Sequence, residues 1–196
     1  MKIDFDVDID MADRDQFLNL VSATPASIKD DTGKFSKHNT GVYFQSISKF
    51  PLEGISDIDY KDAEEAGWFK VDVLNNSVYK DILSESHLNT LLGTEPLWDL
   101  LLHEDFTQQL FHVGNYANIL SQYKPTSVEQ LAMILAIIRP GKKHLIGKTF
   151  EEIEKTVWTK PLDGSYYFKK SHAIAYALTI VVQMNLICEK ISYGYG

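Results

Sequence analysis

The chain has 196 residues, 44% hydrophobic and 23% charged, the balance of a globular protein rather than of a disordered chain. One cysteine, Cys188, excludes a disulfide framework and a zinc ribbon and fits a reducing compartment. The net charge of −8 speaks against general nucleic-acid binding, but it is unevenly spread. Residues 1–31 carry eight Asp against three bases, residues 32–136 fourteen acids against seven Lys, and residues 137–196 nine bases against five acids. A phosphate ligand suits such a division, held between a metal-loaded acidic part and a basic part. A basic end is equally the mark of a plain lysine-bearing surface.

The first element is the segment IDFDVDID. Ile3, Phe5, Val7 and Ile9 alternate with Asp4, Asp6, Asp8 and Asp10. A strand sends successive side chains to opposite faces, so one face suits a core and the other carries four carboxylates. That second face repels itself unless cations neutralise it, and Mg²⁺ and Mn²⁺ prefer carboxylate oxygen. A solvated acidic terminus is the plainer reading. Asp13–Val21 is expected to be helical. Ser22–Asn39, rich in Ser, Thr, Asp and Lys, reads as a loop with a short helix near Pro25–Lys29. A strand follows from Val42, then a short helix over Tyr60–Ala66 stopped by Gly67. Trp68–Leu74 alternates again and reads as a strand, and Ser77–Leu92 as a helix.

Beyond the loop Gly93–Pro96 the pattern is helical throughout. Thr126 with Glu129, or Ser127 with Gln130, forms a capping box before LAMILAII. That helix ends ahead of Pro140–Gly141. TFEEIEKTVW is a short amphipathic helix, and Ser171 is placed to cap a last helix from His172 to about Lys190. Its apolar stretch, Ala173–Val182, is too short for a membrane span. With an acidic N-terminus and no signal peptide in view, a cytoplasmic protein is expected. The fold class is α+β: residues 1–92 form a small mixed layer and residues 93–196 a helical part.

Asp72 lies in FKVDVLN between Val71 and Val73, on a strand that otherwise reads as buried. A lone Asp there is costly unless paired or metal-bound. It shares a face with Lys70, which offers one pairing. Two carboxylates on one strand and a third on a neighbour offer another: two divalent ions about 4 Å apart, the clamp used for in-line nucleotidyl transfer.

Taken together, these segments resemble the alpha subunit of bacterial DNA polymerase III, a C-family DNA polymerase. IDFDVDIDMADRDQFL is similar to that family's catalytic strand and the helix after it, with Ile3 where the family has proline. The family's two metal-binding aspartates fall on Asp6 and Asp8. YKDAEEAGWFKVDVLNN resembles the segment that carries its third, at Asp72. KHNTGVYF is similar to a His-x-x-Gly-Val strand through His38, Gly41 and Val42. PTSVEQLAMILAIIRPGK resembles a fingers segment that ends in Arg-Pro-Gly, here Arg139–Gly141. YYFKKSHAIAYAL is similar to the family's Asn-Lys-Ser-His-x-x-Ala-Tyr-Ala helix, with Lys169 where the family has Asn and Tyr167 where it has Gly.

The resemblance implies a polymerase-β-like nucleotidyltransferase palm fragment followed by an all-helical fingers subdomain. It implies Asp6, Asp8 and Asp72 as catalytic metal ligands for two Mg²⁺ ions, with Mn²⁺ as substitute. It also implies deoxynucleoside triphosphates and primer-template DNA as partners. Arg139, Lys142, Lys143, Lys170, His172 and Tyr176 are the expected nucleotide-binding residues: cations for the phosphates, and a His172–Tyr176 pair on one helical face where a ring can stack on a base. The family's palm begins upstream of its first catalytic strand. The expectation is therefore a reduced, phage-type fragment that works with a complementing polymerase chain. The other expectation is a catalytically inactive relic that binds DNA or replisome proteins.

Overall fold

The computed structural model describes residues 7–162 and 166–194. It is a mixed α+β protein. The chain divides into two compact units, Met1–Asp81 and Ile82–Gly196.

The first unit is built on a four-stranded sheet of β1 (Val7–Met11), β2 (Thr24–Lys29), β3 (Phe35–Tyr43) and β4 (Val71–Asn75), in the order β1-β4-β3-β2. β1 runs parallel to β4, and β3 is antiparallel to both β4 and β2. The alternation in β1 works as the sequence implies. Ile9 and Met11 join Val42, Val71 and Val73 in a core under α1 (Arg14–Leu20), which adds Phe17 and Leu18. Asp8 and Asp10 occupy the other face. Helix α2 (Tyr60–Glu65) covers part of the sheet with a second cluster, where Ala63 and Tyr60 pack with Ala26 and Tyr43. Asp13 caps α1 by accepting the Gln16 N–H at 3.0 Å. The buried Arg14 ties the helix to the sheet: its Nε–H donates to the Val73 carbonyl at 2.9 Å. Arg14 thereby holds the β4 backbone one residue beyond Asp72.

The segment expected as loop and short helix is a β-hairpin, β2–β3. Its turn is closed by Asp30, whose Oδ1 accepts the N–H groups of Thr32 and Lys34, with Gly33 at φ +86°. The outer residues of this edge hairpin are polar, so alternation never showed against the Ser, Thr and Lys background. The strand expected from Val42 instead ends at Tyr43, and the one expected from Trp68 begins at Val71. Ser77–Leu92 splits into a 3₁₀ turn, Ser77–Asp81, and a helix begun by Ser84, which accepts the His87 N–H.

In the second unit the described residues form no strand. Helices α3 (Glu85–Gly93), α4 (Glu104–Thr107), α5 (Ala117–Tyr123), α6 (Val128–Ile137), α7 (Phe150–Glu154) and α8 (Lys170–Ser192) surround one core. Every residue from Leu131 to Ile138 in and just after α6 is buried, and α8 packs along it. Ser127 accepts the Gln130 N–H at the start of α6, and a full capping box joins Thr149 to Glu152 in α7. Ser171 does not cap α8, because the helix already starts at Lys170 with Lys169 before it. By length and composition α8 is also apolar enough to cross a bilayer, which the shorter stretch Ala173–Val182 did not suggest. Half of that window is buried inside the unit, as a core helix requires.

Candidate functional site

The first candidate lies on the sheet face opposite the α1 core. Asp8 and Asp72 are register partners on adjacent parallel strands. Partners across such a pair sit about 4.8 Å apart at the backbone and project from the same face. Asp10 follows on that face, opposite Leu74. Asp4 and Asp6 lie outside the described residues. Among the described residues, no group of three His, Cys, Asp or Glu side chains is arranged to hold a metal ion.

Asp72 is mostly shielded, its side chain 16% exposed, and its oxygens are satisfied from within the unit. The Thr40 hydroxyl donates to Oδ1 at 2.7 Å. The Lys70 ammonium pairs with Oδ2, the alternative that the spacing of Lys70 and Asp72 had offered. On the far side of β4, Gly41 is the register partner of Asp72. A Cβ there would stand 2.7 Å from Lys70 Cδ and 3.1 Å from His38 Nδ1. Glycine is required at 41 because the Lys70 stem and the His38 ring cross the space where a side chain would begin.

The His38 ring is locked in one state. Its Nδ1 accepts the N–H groups of Gly41 at 2.9 Å and of Thr40 at 3.2 Å, so that nitrogen carries no proton. Burial, followed by the charge of Lys70, lowers the His38 pKa, and Asp72 opposes the shift without cancelling it. Tyr60 closes the cluster, its ring 5.2 Å from His38 and beneath the Lys70 ammonium at 6.0 Å.

The second candidate lies within the helical unit, where Phe168 gathers three of the six expected nucleotide-binding residues. The Arg139 guanidinium stacks over its ring at 4.8 Å, and the rings of Tyr176 and His172 lie at 5.2 and 6.1 Å. Arg139 Nε is buried and meets no hydrogen-bond acceptor among the described residues. Helix α8 begins beside this cluster with no side-chain cap and no acid in its first turn among the described residues, and the positive end of a helix favours an anion. Lys170 lies over Trp158 at 5.9 Å. Lys143 is exposed on the turn Pro140–Leu145. Lys142 differs: it is buried, donates to the Thr156 carbonyl at 2.6 Å, and has its pKa lowered by burial. Its ammonium is taken up by the fold.

Sequence reading missed Thr40 as a partner of Asp72, Phe168 as the hub of the cationic cluster, and His112 beside it. Only Phe168 carried a signal, lying two residues before the Lys170-Ser171-His172 run. The chain matches no protein-family model, no curated protein and no solved structure.

Two outcomes test this geometry. Gly41→Ala should cost about 1–3 kcal/mol, the usual penalty of overpacking. In a Lys70→Ala background it should cost less, because the crowding stem is gone, and additive costs in thermal unfolding would contradict the packing. His38 has a folded pKa below its unfolded value of about 6.5. The unfolded chain therefore binds the extra proton first, and stability falls as pH drops below about 6.5. In His38→Gln that fall should be shallower. It should not vanish, because His112 is shifted in the same direction.

Proposed function

We propose that this chain is a nucleotidyl-transfer protein of the DNA polymerase III alpha type, which uses deoxynucleoside triphosphates and divalent metal and needs a complementing chain for template-directed synthesis. The observation that carries the reading is the register of Asp8 with Asp72. It puts two carboxylates side by side on one sheet face, with Ile9, Met11, Val71 and Val73 on the other.

The donor set suits a hard divalent cation of the Mg²⁺ or Mn²⁺ class, since both groups are carboxylates and neither Cys nor a second soft ligand intervenes. Asp6, outside the described residues, would be the third ligand. When bound, the metal would lower the pKa of an attacking hydroxyl and neutralise a leaving pyrophosphate. The chain's own part is to fix the carboxylates. Arg14 holds the β4 backbone through Val73, Thr40 orients one oxygen of Asp72, and Lys70 supplies the positive charge that a metal would otherwise bring. Metal binding at Asp72 therefore requires Lys70 to give up Oδ2. In the helical unit, Arg139 with its unsatisfied Nε and the uncapped start of α8 supports the reading of a triphosphate site.

The second reading, an inactive relic that binds DNA or replisome proteins, draws support from the Lys70–Asp72 pair, which neutralises the carboxylate with no metal. Thermal unfolding separates the two. Millimolar Mn²⁺ together with a deoxynucleoside triphosphate should raise the melting temperature by several degrees, since a ligand confined to the folded state stabilises it by mass action. Asp72→Asn should lose the metal-dependent part of that rise. An unchanged melting curve in the wild-type chain would favour the relic.

A further inference from the structure

The loop between α4 and α5 carries a residue in an unusual conformation. His112 has φ +60°, and the Val113 N–H bonds back to the Phe111 carbonyl at 2.8 Å across it. An i to i+2 hydrogen bond around a positive φ is the rarer, strained form of γ-turn. For a residue other than Gly, such a conformation is strained and persists only where the surroundings enforce it. Here they do. The Gln183 side chain of α8 accepts the Phe111 N–H at 2.7 Å and donates to the Gln109 carbonyl at 2.8 Å. One amide thus clamps both sides of the residue just before the turn.

The strained turn brings the imidazole to Tyr176. The two rings meet edge to face at 4.5 Å, and the His112 ring lies 3.9 Å from that of Phe111. Phe111 in turn stacks on Tyr176 at 5.4 Å and 21°. With these ring contacts in place, His112 as a residue is still exposed to solvent. Packing, followed by the charge of Arg139, lowers its pKa to about 4, so the ring is neutral at physiological pH and does not oppose the guanidinium. The result is an aromatic wall of Phe111, His112 and Tyr176 beside an arginine whose Nε meets no acceptor among the described residues. An arginine next to flat apolar rings suits a ligand that joins an anion to a planar heterocycle. A lysine-and-arginine surface alone would suit any anion.

We propose that His112 is a specificity-determining residue of the nucleotide site, its ring contacting the base while Arg139 takes the phosphates. The inference rests on the nucleotide reading given above, and it adds a residue from outside the segments that suggested that reading. It accounts for the strained turn, which a purely structural loop would relieve with Gly or Asn at 112.

Calorimetric titration of the full chain with dATP and with inorganic triphosphate, each in Mg²⁺, tests it. In His112→Asn, which tolerates the same backbone region, affinity for dATP should fall about tenfold and affinity for triphosphate should stay unchanged. Retained circular dichroism and melting temperature would show that the variant folds. His112→Phe, which restores a ring, should recover part of the loss. Equal affinity of wild type and His112→Asn for dATP, or equal losses for dATP and triphosphate, would overturn the role of His112 and leave the nucleotide reading standing. Failure of the wild-type chain to bind either compound would overturn both.

Discussion

The parallel, in-register pairing of β1 with β4 is the constraint on which the first unit depends. Side chains alternate with a period of two, so a slip of one residue would turn Val71 and Val73 outward and bring Asp72 into the core beneath α1. The hydrophobic cost of that slip holds the register, and the register sets Asp8 against Asp72. The acidic pair is thus a by-product of the apolar pattern on the reverse face: burying Ile9, Met11, Val71 and Val73 leaves Asp8 and Asp72 no other place. Arg14 reinforces the arrangement by bonding the backbone of β4 from the helix that follows β1.

Two adjacent carboxylates, one of them mostly shielded, need compensation. Lys70 gives a charge and Thr40 a hydrogen bond to Asp72, and the Lys70 stem runs through the space that a side chain at Gly41 would fill. Asp72 is therefore satisfied without a metal, yet its charge is met by a lysine with a flexible stem rather than by a rigid donor. An ammonium held by a single carboxylate oxygen is a modest barrier to a divalent ion, which offers twice the charge and takes several oxygens at once. In the helical unit the balance is reversed: Arg139 has aromatic company, and its Nε meets no acceptor among the described residues. One unit holds a carboxylate already matched to a cation, the other a guanidinium whose Nε has no acceptor among the described residues.

Much of this was legible in the sequence, and for identifiable reasons. The alternation around Asp8 and that around Asp72 each gave a strand and a face, because apolar and charged residues contrast sharply there. The cap at Ser127 was readable because its partner Gln130 stands at a fixed spacing. The β2–β3 hairpin was not, because Ser27, Lys29, Ser36 and Lys37 put polar groups where a strand pattern shows apolar ones, and the buried Ser27 is satisfied by the Ile58 carbonyl and the Ser56 hydroxyl. The pairing of Lys70 with Asp72 was readable as one of two options, since spacing puts both on a face without saying which cation the carboxylate meets. His112 gave no signal: its role depends on a positive φ and on Gln183, seventy-one positions away in the chain.

The central claim is that the face bearing Asp8 and Asp72 takes a divalent cation in exchange for Lys70. Anomalous diffraction from crystals grown with Mn²⁺ and a non-hydrolysable deoxynucleoside triphosphate tests it most directly. The account predicts an anomalous peak within bonding distance of carboxylate oxygens of both Asp8 and Asp72, with the Lys70 ammonium withdrawn from Asp72. Absence of a peak at this pair, with Lys70 still seated on Asp72, would contradict it.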